Sequence, residues 1–395
     1  MAADPVSESV SLRELAVAFL RLGTIAFGGP AAHIALMEEE FVRRRQWLTQ
    51  QEFLDRLGAA NLIPGPSSTE MAIYIGYTKR GWPGLIVAGC SFIIPAAILV
   101  SAIAAAYVRY GSMPRAAGVL YAVKPVVIAV VLQAFWKLAR SAVKTVLLGG
   151  VGILAVALIV FGTDNLLVLL CSGALAALPV LYARLTSKAE ASAVAVVSLK
   201  PKSLWPNTLA GFVGAAAGAA AAPFSLWRLF LTFLKIGSVL FGSGYVLLAF
   251  LRSDFVSHLH WLTEKQLLDA VAVGQVTPGP VFTTATFIGY LLGGASGAAV
   301  ATAGIFLPGF FLVAVSGPLI PRIRRSQLAG AVLDGIIVGS LALMGVVTWQ
   351  LGRAALVDPL TIAIAGLSAV LLLAFRLNAA WLILAAVIVG LIRSG

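Results

Sequence analysis

The sequence predicts an all-α polytopic membrane protein whose two homologous halves lie as inverted repeats. Three observations predict it: an apolar composition, a duplication that runs through nearly the whole chain, and an uneven distribution of cations. Of the 395 residues, 60% are hydrophobic and 11% charged, against about 25% charged in soluble domains. The mean hydropathy is +0.98, and several uncharged runs reach the roughly 20 residues a bilayer crossing needs.

The duplication appears when 214 is added to a position in the first half. Phe19-Leu20 then meets Phe233-Leu234, Phe27-Gly28 meets Phe241-Gly242, and Trp47-Leu48-Thr49 meets Trp261-Leu262-Thr263. Pro64-Gly65-Pro66 meets Pro278-Gly279-Pro280, and from Phe19 to Pro66 there are 16 identities in 48 ungapped positions. Beyond the motif the offset is 213, pairing Ile75-Gly76-Tyr77 with Ile288-Gly289-Tyr290, Pro95 with Pro308, Trp136 with Trp349 and Arg140 with Arg353. The chain therefore divides into a first repeat over 1–182, a linker over 183–225 and a second repeat over 226–395. The linker begins with Ser, Lys and Pro and ends in a weakly apolar Ala/Gly stretch, 210–222.

Taken in order, the first repeat reads as a span near 12–36 and a hairpin of short helices near 53–77, then spans near 82–107, 116–136, 142–161 and 164–182. The second reads as a span at 227–251, a hairpin near 266–292, and spans at 295–320, 327–349, 356–375 and 378–393. Each hairpin surrounds a Pro-Gly-Pro. Proline has no amide hydrogen and disfavours helix in the residue before it, while glycine admits backbone shapes other residues avoid. Irregular backbone at membrane depth survives only inside protein or against a wet cavity, so these hairpins are expected to be re-entrant. About five crossings plus one such hairpin per half is an odd count, which inverts the second copy.

Charge supports the same arrangement. Arg43-Arg44-Arg45 and Lys79-Arg80 flank the first hairpin, whereas the matching second-half loops carry Ser257-His258-Leu259 and Leu292-Gly293. With Lys137, Arg140, Lys144, Arg184, Lys188, Lys200, Lys202, Arg322, Arg324 and Arg325, the cations fall on one face if the copies are inverted, and that face is cytoplasmic. The formal net charge of +12 is thus a loop property, and no nucleic-acid partner is expected. Cys90 and Cys171 lie inside apolar runs, three histidines form no ligand cluster, and there is no phosphate-binding Gly-x-x-x-x-Gly-Lys-Ser/Thr run. Neither a metal nor a cofactor is expected, and the acid–base inventory argues against an enzyme. The polar, acidic first ten residues do not read as a cleavable signal.

The candidate site gathers at the helix breaks. A helix restarting after Pro66 exposes unpaired amides and a partial positive charge that can hold an anion. Ser67, Ser68 and Thr69 add hydroxyls there, as Thr283 and Thr284 do after Pro280. A bland alternative is a Ser67-x-x-Glu70 capping box. Phe27, Gly28 and Gly29, echoed by Gly242 and Ser243, mark a second break in each copy, which close packing of small residues would also explain. Arg21 and Lys235 share one repeat position inside apolar segments and read as anion-attracting groups, with snorkelling to the interface as the alternative. Lys124 is a weaker candidate, and Asn61 and Gln275, each three residues before Pro-Gly-Pro, could donate to an oxyanion. Glu70 is the one carboxylate inside a hairpin and a candidate coupling group. Glu38, Glu39 and Glu40 read as a solvated network with the arginines that follow, and Arg140 and Arg353 as interface anchors.

The duplicated Phe-Gly-Gly, Trp-Leu-Thr and Pro-Gly-Pro elements, in this order and spacing, resemble those of the chromate ion transporter family in its long, two-domain form. Ser243 departs from the pattern by replacing the second glycine. The resemblance implies a multi-pass protein of a bacterial-type inner membrane that exports chromate, with sulfate as its analogue and the lipid bilayer as its surroundings; a homodimer is compatible with it. The residues themselves argue for an anion path only, so a sulfate or other oxyanion importer and a gated anion channel stand beside chromate efflux. The drive is the membrane potential or ion exchange.

Overall fold

The computed structural model describes residues 10–27, 29–111, 113–192, 223–241, 244, 246–316, 326–375, 377 and 379–394. Gly28, Gly242, Ser243, most of the linker and Arg322, Arg324 and Arg325 lie outside the described residues. All regular structure among the described residues is helical.

The first departure from the sequence reading is at the start of each copy. No single helix runs over 12–36. Helix α1 (Leu12–Ile25) starts on a Ser11/Glu14 capping box and stops at Ala26, whose backbone is extended. Helix α2 (Gly29–Glu38) follows and continues into a π-helical turn, Glu39–Arg44. Gly29 takes φ +77, and Pro30 cannot donate to a helix arriving from α1. The chain folds back, bringing the Phe41 ring 4.9 Å from Phe19 and Glu40 4.0 Å from Arg21. The span expected at 227–251 is replaced in the same way. The corresponding pieces are α8 (Leu226–Val239), α9 (Leu247–Leu251) and the π turn Arg252–His258. There Phe255 lies 4.9 Å from Phe233, and Lys235 sits 2.6 Å from Asp254.

Next come α3 (Gln50–Ala60) and its counterpart α10 (Glu264–Val276). Thr49 and Thr263 cap them, each in a reciprocal box closed by Glu52 or Gln266. This accounts for the Trp-Leu-Thr element: threonine starts the helix, while Trp47 stacks on Phe41 at 5.0 Å. Pro-Gly-Pro then turns the chain into α4 (Ser67–Tyr110) or, through the 3-10 turn Val281–Thr283, into α11 (Thr284–Ser316).

Both long helices are bent double at matching points. Arg80 and Gly81 leave helical geometry in α4, as Gly293 and Gly294 do in α11, with φ +59 at Gly81 and +62 at Gly294. The arms pack so closely that a Cβ on Gly76 would strike the carbonyl of Gly84, and one on Gly289 that of Gly297. Arg56 in α3 donates to Thr78 Oγ1 at 2.9 Å, so α3 and the short arm of α4 form the hairpin expected around the motif.

The remaining helices are α5 (Pro114–Ala142), α6 (Val146–Val160), α7 (Asn165–Ser192), α12 (Gln327–Ala355), α13 (Pro359–Leu373) and α14 (Ala379–Ser394). They are exchanged between copies: α5 packs on α13 and α14, and α12 on α6 and α7. The long helices α4 and α11 run in opposite directions. Tyr74, near the start of α4, hydrogen-bonds Ser316 at the end of α11, and Tyr107, near the end of α4, lies 5.3 Å from Phe287, near the start of α11. Five described helical stretches are long and apolar enough to cross a membrane: 67–110, 117–142, 165–183, 281–316 and 327–355. Exposed Val146, Ile153, Phe161 and Ile392 give the outer surface the apolar character a lipid contact requires.

Candidate substrate path between the two copies

The two Pro-Gly-Pro turns meet the other copy's helix break. The Gly65 amide donates to the Leu240 carbonyl at 2.7 Å, and the Gly279 amide to the Ala26 carbonyl at 2.9 Å. Gly65 matches Gly279 and Ala26 matches Leu240 at the offset of 214, so the two bonds are the same contact made twice. Each carbonyl sits at a helix end, where no further turn can pair with it. Gly279 takes φ +88, and a Cβ there would come 2.6 Å from the Ala96 Cβ and 3.2 Å from the Gly23 carbonyl. Gly65 takes φ +135, and a Cβ there would overlap the Glu70 carboxylate. Pro64, Pro66, Pro278 and Pro280 hold these glycines at the crossing.

Around it the polar groups are sorted unequally. His33 is buried, with Nε2 3.0 Å from the Ala26 carbonyl and Nδ1 3.2 Å from Ser68 Oγ. Thr283 and Thr284 spend their hydroxyls on the carbonyls of Pro280 and Val281, both at 2.8 Å. Thr69 Oγ1 is buried without a partner. Ser67 opens α4 but does not cap it; Pro66 holds that position with no side-chain bond. The Ser67/Glu70 capping box is therefore absent, because Glu70 turns back toward Gly65. Glu70 is fully buried, and neither of its oxygens has a hydrogen-bond partner. A Cβ on Gly309, from the other copy, would stand 3.9 Å from one of them.

Beside the crossing opens a cavity of about 940 Å³ that reaches Phe27, Gly29 and Gln275. Part of its lining is a stripe of α5 built from Gln133, Trp136, Lys137 and Arg140, a spacing that places all four on one helix face. Gln133 donates to the Leu372 carbonyl at 2.8 Å, and the Arg140 guanidinium lies 4.9 Å above the Trp136 ring. Arg140 thus faces this cavity, where the sequence suggested a simple interface anchor.

Arg21, Lys235 and Asn61 are not part of the lining. Arg21 lies 4.0 Å from Glu40 and Lys235 2.6 Å from Asp254; both acids are largely buried. Glu40 also binds Arg44 at 3.3 Å and Arg45 at 2.6 Å, so it belongs to a partly buried cluster, not to a solvated one. Lys124 is likewise paired, 2.8 Å from Asp269, which accepts a second bond from Tyr107 at 2.8 Å. The sequence reading missed Asp254, Asp269, Gln133 and His33. For Asp254 a signal existed: Glu40 and Asp254 are acids at one repeat position, as Arg21 and Lys235 are cations at another.

A family model described as chromate transporter matches residues 13–178 and again 227–391. A chromate transport protein of Cupriavidus metallidurans is 32% identical over 391 residues, covering 97% of this chain and 93% of the relative. One from Pseudomonas aeruginosa is 30% identical, covering 98% and 95%. An uncharacterised transporter of Methanocaldococcus jannaschii is 26% identical, covering 84% and 82%. No solved structure matches.

Proposed function

This chain belongs to the chromate transporter family, and from that premise we propose that it is a secondary transporter that moves chromate out of the cell across an inner membrane. The observation that carries the reading is the pair of crossed glycine bonds, Gly65 to Leu240 and Gly279 to Ala26, beside a cavity that holds Lys137 and Arg140 and, among the described residues, no acid. Two copies of one fold interlock by the same contact made twice, and the anion passes where they interlock.

The copies lie inverted in the membrane. Support for this comes from the opposed directions of α4 and α11, since repeat-related helices that run antiparallel are related by an axis across them and not along them. Such repeats with broken helices near the midplane are a recurrent transporter design. Positive charge on the loops at Arg43–Arg45, Lys79-Arg80, Lys137 and Lys144 orients those ends to the cytoplasm. The cavity then opens inward, so the geometry is that of a carrier ready to load from inside.

Sulfate has the same shape and charge as chromate and is accepted by the same site. The amides at Ser67 and Ser68 and the unpartnered Thr69 hydroxyl are the contacts nearest the crossing, with Gln275 at the cavity end. Export of a dianion from a negative interior is electrically downhill. Glu70, which can change its proton without breaking any hydrogen bond, is the coupling group. The test is flux into inverted vesicles for chromate, sulfate and phosphate. Saturable chromate uptake that sulfate inhibits is expected; vesicles with the protein that accumulate no more chromate than empty ones would remove the reading.

A further inference from the structure

The three cations that the sequence singled out inside apolar segments each face an acid. Arg21 faces Glu40, Lys235 faces Asp254 and Lys124 faces Asp269. Lys137 and Arg140 differ: among the described residues neither has a carboxylate within salt-bridge distance. They lie on one face of α5, one turn apart, on the wall of the 940 Å³ cavity. Among the described residues no Asp or Glu lines that cavity, which carries two cations without an acid beside Gln275 and Gly29. The guanidinium of Arg140 rests on Trp136 at 4.9 Å, which holds the charge in place while leaving its N–H groups free to bond.

We propose that Lys137 and Arg140 form the loading site for a divalent tetrahedral oxyanion, capturing it from the cytoplasm before it reaches the Pro-Gly-Pro crossing. The inference rests on the transport reading above and adds the residues that select for charge. The lysine acts as a point charge and the arginine as a planar donor fork, a pair suited to one dianion. Gln133 and Gln275, both on the lining, supply neutral donors.

The repeat makes the assignment directional. At the offset of 213, Gln133, Trp136, Lys137 and Arg140 correspond to Val346, Trp349, Gln350 and Arg353. The second copy keeps the tryptophan and the arginine, and loses the lysine and the polar residue a turn earlier. If the copies are inverted, the side that loads carries two charges and the side that releases carries one. An anion is then held more weakly where it must leave.

The magnitude follows from Coulomb's law. A dianion about 7 Å from one cation in water gains about sevenfold in binding, and Debye screening near 0.15 M salt cuts that to about twofold. Initial chromate uptake into inverted vesicles is measured at low and at physiological salt for the wild type, Lys137→Gln, Arg140→Gln, the double variant, Lys137→Arg and Arg353→Gln. At low salt each single neutralisation is expected to raise the half-saturating concentration about sevenfold and the double variant further, with the maximal rate retained. The double variant should also lose most of the salt dependence, which a merely structural role would leave intact. Lys137→Arg should rescue, and Arg353→Gln, on the releasing side, should raise the half-saturating concentration less than either loading-side neutralisation. A double variant with wild-type half-saturation and salt dependence overturns the loading site while leaving the transport reading in place. A wild type that carries none of chromate, sulfate or phosphate overturns both.

Discussion

Replacing Gly279 by alanine tests the crossing itself. Its amide holds the Ala26 carbonyl at 2.9 Å, its φ is +88, and an added Cβ would stand 2.6 Å from the Ala96 Cβ. A left-handed backbone costs an L-residue roughly 1–2 kcal/mol, and one extra methyl in a tightly packed interior costs about 1–3 kcal/mol more. The single variant should therefore be less stable by about 2–5 kcal/mol. The atom it strikes is itself one methyl, so Ala96→Gly removes the overlap at the price of about 1 kcal/mol for glycine within a helix. The double variant keeps the backbone strain and escapes the collision, giving a favourable coupling of about 1–3 kcal/mol. Thermal unfolding of the four purified proteins in detergent measures it, with chromate flux recorded in parallel. Additive effects, within about 0.5 kcal/mol, would mean that Gly279 does not pack against Ala96 and that the crossing is misplaced.

Two further predictions address buried charge. Glu70→Gln keeps the shape of a side chain whose oxygens make no hydrogen bond; it should fold to normal yield and flatten the dependence of chromate flux on pH. A pH profile identical to the wild type would release Glu70 from any coupling role. Lys124→Met leaves Asp269 buried without its 2.8 Å partner and should cost about 3–5 kcal/mol of stability, most of which Lys124→Met combined with Asp269→Leu should recover. Thermal unfolding that is unchanged in the single variant would argue against the ion pair.

The duplication and both classes of helix break were legible in the sequence because proline and glycine act locally. The Trp-Leu-Thr element was legible only as a repeated string, and that its threonine caps a helix came with the structure. The fold-back at the beginning of each copy was not legible. Residues 12–36 read as one apolar run, and what closes the turn is the meeting of Phe19 with Phe41 and Arg21 with Glu40, contacts 19 to 22 residues apart. For the same reason Arg21 and Lys235 looked unpaired: their acids lie in the π-helical turns of the returning arm. Glu70 was recognised as unusual, but its direction depends on Gly65 having no side chain, a fact of packing rather than pattern. His33 has Leu247 as its repeat counterpart, so the comparison of copies that exposed the other positions was silent there.

If the two halves face the membrane from opposite sides, Arg44 and His258, which occupy one repeat position, must be exposed on opposite faces. In a background with Cys90 and Cys171 replaced, a single cysteine is placed at either position and treated with a membrane-impermeant maleimide in intact cells and in inverted vesicles. The Arg44 site should react only in inverted vesicles and the His258 site only in intact cells. Reaction of both from the same face would contradict the inversion.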